Sequence, residues 1–118
     1  MSTPLTDPQC LFCRMVSGEV EADEVVRTDR VLAFRDINPK APLHVLVVPR
    51  DHHRDVGALA AADGEVLAEM GRVAHDIAEG ESPDGWRWVF NTGPASGQTV
   101  FHVHGHVLGG RELTWPPG

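Results

Sequence analysis

The stretch Phe101-His102-Val103-His104-Gly105-His106-Val107-Leu108 carries three of the chain's seven histidines, one at every second position. Side chains alternate between the two faces of an extended strand, so a strand here would present all three imidazoles on one face. The apolar residues between them would then cover the opposite face and pack on the core: Phe101, Val103 and Val107. The pattern therefore predicts a strand with one apolar side and one side for chemistry.

Length and composition limit the class of protein. The chain has 118 residues, 42% of them hydrophobic, which suits one domain over residues 1–118 with an ordinary core. The net charge of −7 disfavours binding to a nucleic acid polymer through a broad basic surface. No apolar run approaches the ~20 residues of a membrane span, and residues 1–9 are polar, unlike a signal peptide. We therefore expect a cytoplasmic protein with a flexible segment over residues 1–9 and no membrane partner.

The rest of the chain reads as short strands and two helices. Strands are predicted over residues 25–28, 31–34, 43–48 and 86–91, and the third is apolar enough to be buried on both sides. Apolar residues at spacings of three and four predict one long helix over 63–79, and a short helix is expected over 10–16. Short connections favour antiparallel pairing, so the sequence predicts an α+β domain with a helix on one face of a sheet.

Cys10 and Cys13 are the only cysteines of the chain. Their C-x-x-C spacing is typical of a redox pair or of half a zinc site, although the strand that normally precedes a redox motif is absent. They could also be small apolar residues in a buried helix. His52 and His53, which follow a predicted strand, are interpreted as surface or loop residues.

The histidine stretch itself has three interpretations: a metal site, covalent catalysis by a neutral imidazole, or solvent-facing histidines without a role. The loop before it supplies an amide, flexible backbone N–H groups and a hydroxyl, from Asn91, Gly93, Gly97, Gln98 and Thr99. Such groups bind anions. Together with the histidines they favour a phosphate pocket.

At this point the chain resembles the histidine-triad family of nucleotide hydrolases and transferases, and its ending resembles the Hint branch. The resemblance rests on the segments Gly97-Gln98-Thr99-Val100-Phe101-His102-Val103-His104-Gly105-His106-Val107-Leu108, Phe12-Cys13-Arg14 with Ser17-Gly18-Glu19, Ala33-Phe34-Arg35-Asp36-Ile37, Ala41-Pro42-Leu43-His44-Val45-Leu46-Val47-Val48-Pro49, Gly109-Gly110-Arg111 and Trp115-Pro116-Pro117-Gly118. It implies a HIT-like fold, with a five-stranded antiparallel sheet, one long helix and a short N-terminal helix.

The resemblance also implies roles for single residues. The middle histidine of the triad is the family's nucleophile, so His104 is expected to attack the α-phosphorus of a nucleotide and form a nucleotidyl-imidazole that water resolves. His106 would contact the phosphate, while His102 and His44 would set ring orientation and protonation. The substrate is expected to contact Asp36 through its ribose, Ile37 through its base, and Asn91, Gly97, Gln98 and Thr99 near its phosphate.

The activity implied is hydrolysis of phosphoramidate or acyl-phosphate bonds in purine nucleoside monophosphate derivatives, as in an adenosine phosphoramidase. Catalysis would need no cofactor. Two alternatives remain open: a nucleotide-binding regulatory protein without significant turnover, and a dinucleoside polyphosphate hydrolase. The Hint-like ending favours phosphoramidate or acyl-phosphate hydrolysis over dinucleoside polyphosphate hydrolysis. The intact histidines favour it over a regulatory protein without turnover. We expect activity to fall below about pH 6, where unperturbed histidines become protonated.

Two further implications concern metal and partners. Some bacterial members with a similar C-x-x-C are associated with zinc, and the matching ligands here are Cys10, Cys13, His44 and His102. Such a structural zinc would clamp the N-terminal helix to the sheet. Family members are generally dimers with joined sheets, so we expect a homodimer, with residues 109–118 near the partner and Trp115 near its site.

Two positions depart from the family's usual residues. Gly105 stands where a bulky apolar residue is usual, which would leave a packing gap or admit a neighbouring group. Thr99 replaces the more frequent serine and keeps its hydroxyl.

Overall fold

A computed structural model describes residues 5–118, which form three α-helices, five strands and one 3-10 turn. The bounds are α1 Leu11–Val16, β1 Glu24–Arg27, β2 Val31–Arg35, β3 Leu43–Pro49, α2 Val56–Ala62, α3 Gly64–Glu81, β4 Trp86–Phe90, the 3-10 turn Pro94–Ser96 and β5 Gly105–Gly109. None of these helices is long and apolar enough to cross a membrane.

The five strands form one sheet in the order β1-β2-β3-β5-β4, and every neighbouring pair is antiparallel. This confirms the α+β prediction of an antiparallel five-stranded sheet with one long helix and a short N-terminal helix. β3 lies at the centre and all seven of its residues are buried, as its near-continuous apolar sequence predicts. β4 forms one edge of the sheet.

The sheet separates two cores because alternate residues of each strand face opposite sides. On one side α3 contributes Met70 and Ala74 to a cluster with Val45 and Val107. On the other side α1 contributes Phe12 to a smaller cluster with residues of β2 and β3: Leu32, Phe34, Leu46 and Val48. The histidines described below lie on the α1 side.

Two sequence-based expectations are corrected here. β5 begins only at Gly105, so His102 and His104 precede the strand, and the regular alternation predicted from Phe101 onward is wrong. Phe101 is 37% exposed, while Val103 and Val107 are buried in the α3 core as expected. The apolar spacing in the sequence also does not predict α2, which Asp55 caps by accepting the backbone N–H of Ala58 with its carboxylate.

Gly105 admits a neighbouring group, which was one of the two expectations for it. A Cβ built on this residue would lie 2.8 Å from Cζ of Phe90 and from Cε2 of Trp88, closer than real contacts allow. The rings of Trp88 and Phe90, 4.7 Å apart between centroids, fill the volume that a side chain at this position would need.

Part of the expectation of a flexible N-terminus lies outside the described residues, since residues 1–4 are not described. The segment from Leu5 is held by hydrogen bonds. The Leu5 carbonyl accepts the backbone N–H of His52 over 2.9 Å, and the Asp7 carbonyl accepts that of Cys10 over 3.0 Å.

Candidate functional site

The imidazole of His104 is held by the backbone of His102, two residues before it in the chain. Its Nδ1 lies 2.7 Å from the carbonyl oxygen of His102. A carbonyl can only accept, so Nδ1 carries the proton and Nε2 keeps its lone pair. The ring edge-packs against Phe12 at 5.0 Å between centroids. Burial lowers the pKa of His104, which keeps the imidazole neutral.

A second chain of hydrogen bonds fixes His106. The backbone N–H of Lys40 donates to Nδ1 of His44 over 2.9 Å, so the proton of neutral His44 sits on Nε2. That Nε2–H donates to Nδ1 of His106, also over 2.9 Å. His106 therefore carries its own proton on Nε2. Burial lowers the pKa of His44 and takes that of His106 down to about 4, so both rings are neutral at pH 7.

Asp36 follows β2 and lies beside this chain of histidines. Its Oδ1 accepts the backbone N–H of Asn38 over 2.8 Å, and its Oδ2 lies 3.4 Å from Nε2 of His44. The carboxylate opposes the effect of burial on the pKa values of His44, His104 and His106, because its charge favours their protonated forms. Burial is the larger effect in each case.

A cavity of about 290 Å³ opens onto these groups. It contains five residues predicted to contact substrate or carry out catalysis: Asp36, Ile37, Thr99, His104 and His106. Its wall is mostly apolar and comes from α1 and the sheet, through Leu11, Phe12, Met15, Phe34 and Leu46. Ile37 is 97% exposed at the rim. An apolar wall with a few convergent polar groups is typical of a small-molecule site.

Three predicted phosphate contacts do not line this cavity. Gln98 is buried, with its Oε1 accepting the N–H of Gly93 and its Nε2 donating to the carbonyls of Arg54 and Val100. Its polar atoms are all used in bracing the loop, which corrects the expectation of a substrate contact. Asn91 and Gly97 also lie outside the cavity lining.

A larger open depression, of about 540 Å³, lies near the sheet edge formed by β4 and the C-terminal segment. Its lining includes Arg87, Arg111, Glu81 and Glu112 but none of the histidines. We place the functional site at the smaller cavity, because two neutral histidines with lowered pKa values, His104 and His106, converge there.

A second cluster, separate from His44, His104 and His106, is formed by Cys10, Cys13, His52 and His102. One ligand atom from each of the four lies within 4.8 Å of all the others. Nδ1 of His102 is 3.4 Å from both sulfur atoms, and Nδ1 of His52 is 3.5 Å from Sγ of Cys13. Ligands of a tetrahedral zinc lie about 3.3 to 3.8 Å apart, so the arrangement fits this ion.

The hydrogen bonds around His102 also fit a metal ligand. Its Nε2 donates to the carbonyl of Pro49 over 2.8 Å, which leaves the lone pair on Nδ1, the nitrogen that faces the sulfurs. Burial lowers the pKa of His102 to about 4 and keeps it neutral. Burial also raises the pKa of the Cys10 thiol, and a bound cation would favour its thiolate.

The structure corrects one predicted zinc ligand. His44 was expected to join the two cysteines, but it lies in the other group, with Asp36 and His106, and His52 takes its place. That other group fits a metal poorly. The Lys40 N–H occupies Nδ1 of His44, so Nε2, the atom facing the group, holds a proton instead of a lone pair.

Comparison with known proteins defines the class. A family model described as the HIT domain matches residues 17–113. The chain is 40% identical to a 14 kDa zinc-binding protein of Zea mays, over 97% of this chain and 91% of that one. It is 37% identical to the Adenylylsulfatase HINT1 of Arabidopsis thaliana, over 99% and 81% of the two chains. The fold matches a HIT family hydrolase from Legionella pneumophila with a TM-score of 0.89 and 43% identity, over 93% of this chain and all of that one.

The chain belongs to the HIT domain family, as the sequence resemblance implied. With the family established, the site residues that sequence reasoning missed are the apolar cavity wall of α1 and His52 in the cysteine cluster. Leu11, Phe12 and Met15 lie in the short helix expected over 10–16, and nothing in their spacing separates a cavity-wall residue from a core residue. His52 has no local pattern, because it is 39 residues from Cys13.

Proposed function

We propose that the protein is a nucleotide hydrolase that cleaves phosphoramidate or acyl-phosphate bonds of purine nucleoside monophosphate derivatives through a nucleotidyl-His104 intermediate. One observation carries the proposal. The His102 carbonyl fixes the ring of His104, and His44, itself fixed by the Lys40 N–H, fixes that of His106, so the two neighbouring rings, 5.0 Å apart between centroids, are held in opposite tautomers. His104 offers a lone pair on Nε2, and His106 offers an N–H on Nε2.

The two tautomers suit the two halves of a displacement at phosphorus. In the first step Nε2 of His104 bonds to the α-phosphorus, the bond to the leaving nitrogen breaks, and the amine departs with one proton taken up from solvent. In the second step water attacks the phosphorus, the bond to His104 breaks, and one proton is released with the nucleoside monophosphate. The Nε2–H of His106 donates to a phosphate oxygen through both steps.

The cavity supports the substrate assignment. Thr99 lines the cavity, and we assign its hydroxyl to the phosphate, together with the backbone at Asn91 and Gly97, on the family resemblance. Asp36 is assigned to the ribose hydroxyls. Apolar lining residues are assigned to the base: Ile37, Phe34 and Leu46. The name of the Arabidopsis relative refers to an adenylyl sulfate, which is also an adenylyl derivative with a good leaving group.

We further propose a structural zinc held by Cys10, Cys13, His52 and His102. The ion would tie the N-cap and body of α1 to the segment that carries His104. It would supply folding free energy and no catalytic step. The name of the maize relative supports this assignment.

A homodimer is the proposed assembly. The edge strand β4 carries half-buried Trp86, Trp88 and Phe90, and an exposed edge of this kind favours pairing with a second copy. Trp115, 80% exposed, lies with its ring 5.7 Å from the Arg87 guanidinium.

Two unpaired cysteines agree with the expected cytoplasmic location.

The decisive experiment uses adenosine 5′-phosphoramidate. The protein is mixed with it, quenched early with base and analysed by intact mass, beside a His104→Ala variant. We expect an adenylyl adduct on the unsubstituted protein and a loss of turnover in the variant of about a thousandfold or more. Binding without adduct or turnover would instead indicate a nucleotide-binding protein. Faster cleavage of a dinucleoside polyphosphate than of the phosphoramidate would indicate the other hydrolase activity.

A further inference from the structure

Asp36 sits where it can act on the histidines as well as on a ribose. Its carboxylate is half-buried and fixed in position by the Asn38 N–H, and its free oxygen faces Nε2 of His44 at 3.4 Å. His44 in turn contacts His106. The same carboxylate lines the cavity together with His104 and His106.

The proposed first step changes the charge of this group of rings. His104 begins neutral, with its proton on Nδ1 held by the His102 carbonyl. When Nε2 bonds to phosphorus the proton stays on Nδ1, so the ring becomes an imidazolium. The second step returns it to neutrality. Positive charge therefore appears on a half-buried ring that packs against Phe12, where little water is available to solvate it.

Three carboxylates line the cavity: Asp36, Glu21 and Asp23. Asp36 is the one in contact with the histidine group, because its Oδ2 lies 3.4 Å from Nε2 of His44, whose protonated form its charge favours. The Lys40 charge acts in the opposite direction on His44. A fixed dipole or charge aimed at the place where charge develops lowers a barrier without reorganisation.

We propose that Asp36, besides binding the ribose, stabilises the positive charge that forms on the histidine group when the nucleotidyl bond to His104 is made. This inference rests on the proposed function. It predicts that loss of the carboxylate charge slows adduct formation even when the substrate has no ribose hydroxyls to bind.

The test is a cycle of two substrates and two proteins. The substrates are adenosine 5′-phosphoramidate and its 2′,3′-dideoxy analogue, and the proteins are the unsubstituted chain and Asp36→Asn. Asparagine keeps an oxygen for the Asn38 N–H and removes the charge. Adduct formation is followed by rapid quench and intact mass under saturating substrate, and release of the adduct is followed separately.

We expect Asp36→Asn to slow adduct formation about tenfold to hundredfold on both substrates, the size of effect that loss of an opposite charge beside an ionising group has. Release of the adduct should be no slower. Removal of the hydroxyls from the substrate should raise KM of the unsubstituted protein and change kcat little. Asp36→Glu keeps the charge and should form the adduct faster than Asp36→Asn on the dideoxy substrate.

Asp29→Asn provides the matched control, since it removes one exposed carboxylate charge at the turn between β1 and β2. Its rates should match those of the unsubstituted protein. A defect of Asp36→Asn that disappears with the dideoxy substrate would overturn the inference and leave the proposed function standing. Absence of any adduct on the unsubstituted protein would overturn both.

Discussion

The carbonyl oxygen of His102 lies 2.7 Å from Nδ1 of His104, while the ring of the same His102 faces the two cysteines. One residue thus belongs to both sites. Its side chain contributes to the candidate zinc cluster and its backbone selects the tautomer of the proposed nucleophile. The two sites are joined again through α1, where Phe12 lies between the two cysteines in sequence and packs on His104.

Activity should persist to lower pH than it would if the histidines had ordinary pKa values. Burial lowers the pKa of His104 and brings that of His106 to about 4. A lowered pKa keeps the imidazoles neutral as pH falls, so we expect kcat/KM to stay nearly constant from pH 8 down to ~6.5, the ordinary histidine pKa, and to fall only below it. A pH–rate profile checks this. Half-maximal activity at pH 6.5 or above would contradict it.

Loss of the donor to His106 should lower turnover. His44→Phe removes the Nε2–H that holds Nδ1 of His106, leaving that nitrogen without its partner. We expect kcat to fall about tenfold to hundredfold, the effect of losing a strong hydrogen bond, with a smaller change in KM. His75→Phe, at an exposed position of α3, is the control. Equal kcat values for the two variants would count against a role in turnover for the hydrogen bond from His44 to His106.

Metal content should depend on His52 and not on His44. The cluster that fits zinc contains His52, whereas His44 lies in the other group. After purification without added zinc, we expect about one equivalent in the unsubstituted protein and in His44→Asn, and a large loss in His52→Asn and Cys13→Ser. Plasma emission spectrometry gives the contents. Zinc retained in His52→Asn but lost in His44→Asn would restore the ligand set first inferred from the sequence.

Metal loss should also destabilise the fold, because the ligands come from α1 and from two distant segments. Thermal unfolding with and without a chelator measures the effect, and the chelated protein is expected to melt at a lower temperature. The Cys13→Ser variant should respond little to the chelator. An unchanged melting temperature of the unsubstituted protein would show that zinc contributes nothing to stability.

A methyl group at position 105 should destabilise the protein. A Cβ on Gly105 meets the rings of Trp88 and Phe90 at distances that force them to move. We expect Gly105→Ala to lower the free energy of unfolding by about 1–3 kcal/mol. Gly80 lies within α3 with open space around it, so Gly80→Ala should raise that free energy by about 0.5–1 kcal/mol. Denaturant melts compare the two, and equal effects would refute the packing argument.

The strands could be predicted from short runs of β-branched, apolar and aromatic residues, and α3 from apolar residues at spacings of three and four. α2 was missed because its seven residues bury only Leu59 and show no such repeat. The histidine stretch was predicted as one continuous strand, but the backbone leaves the sheet before Gly105 and uses the His102 carbonyl to bind His104. Alternation alone does not reveal that departure.

The residues of the site could be named from the sequence more readily than their contacts. Asp36, His44, His104 and His106, all named from the family resemblance, lie close together in the structure. Gln98 is the right kind of residue for an anion contact, yet it faces inward and satisfies three backbone groups. Orientation of this kind depends on the whole loop, which no local pattern encodes.

The contact between Gly105 and Trp88 has a consequence for reading related sequences. Gly105 lies opposite Phe90 in the register of β5 and β4, and Trp88, which lies opposite Val107, is its diagonal neighbour on the same face of the sheet. The Trp88 ring fills the volume beside Gly105, so neither position can be interpreted alone. Where a relative carries a bulky apolar residue at the position of Gly105, we expect a smaller side chain at that of Trp88. The side-chain volume missing at Gly105 is then supplied by Trp88. An alignment of relatives should show the residues at these two positions covarying in size.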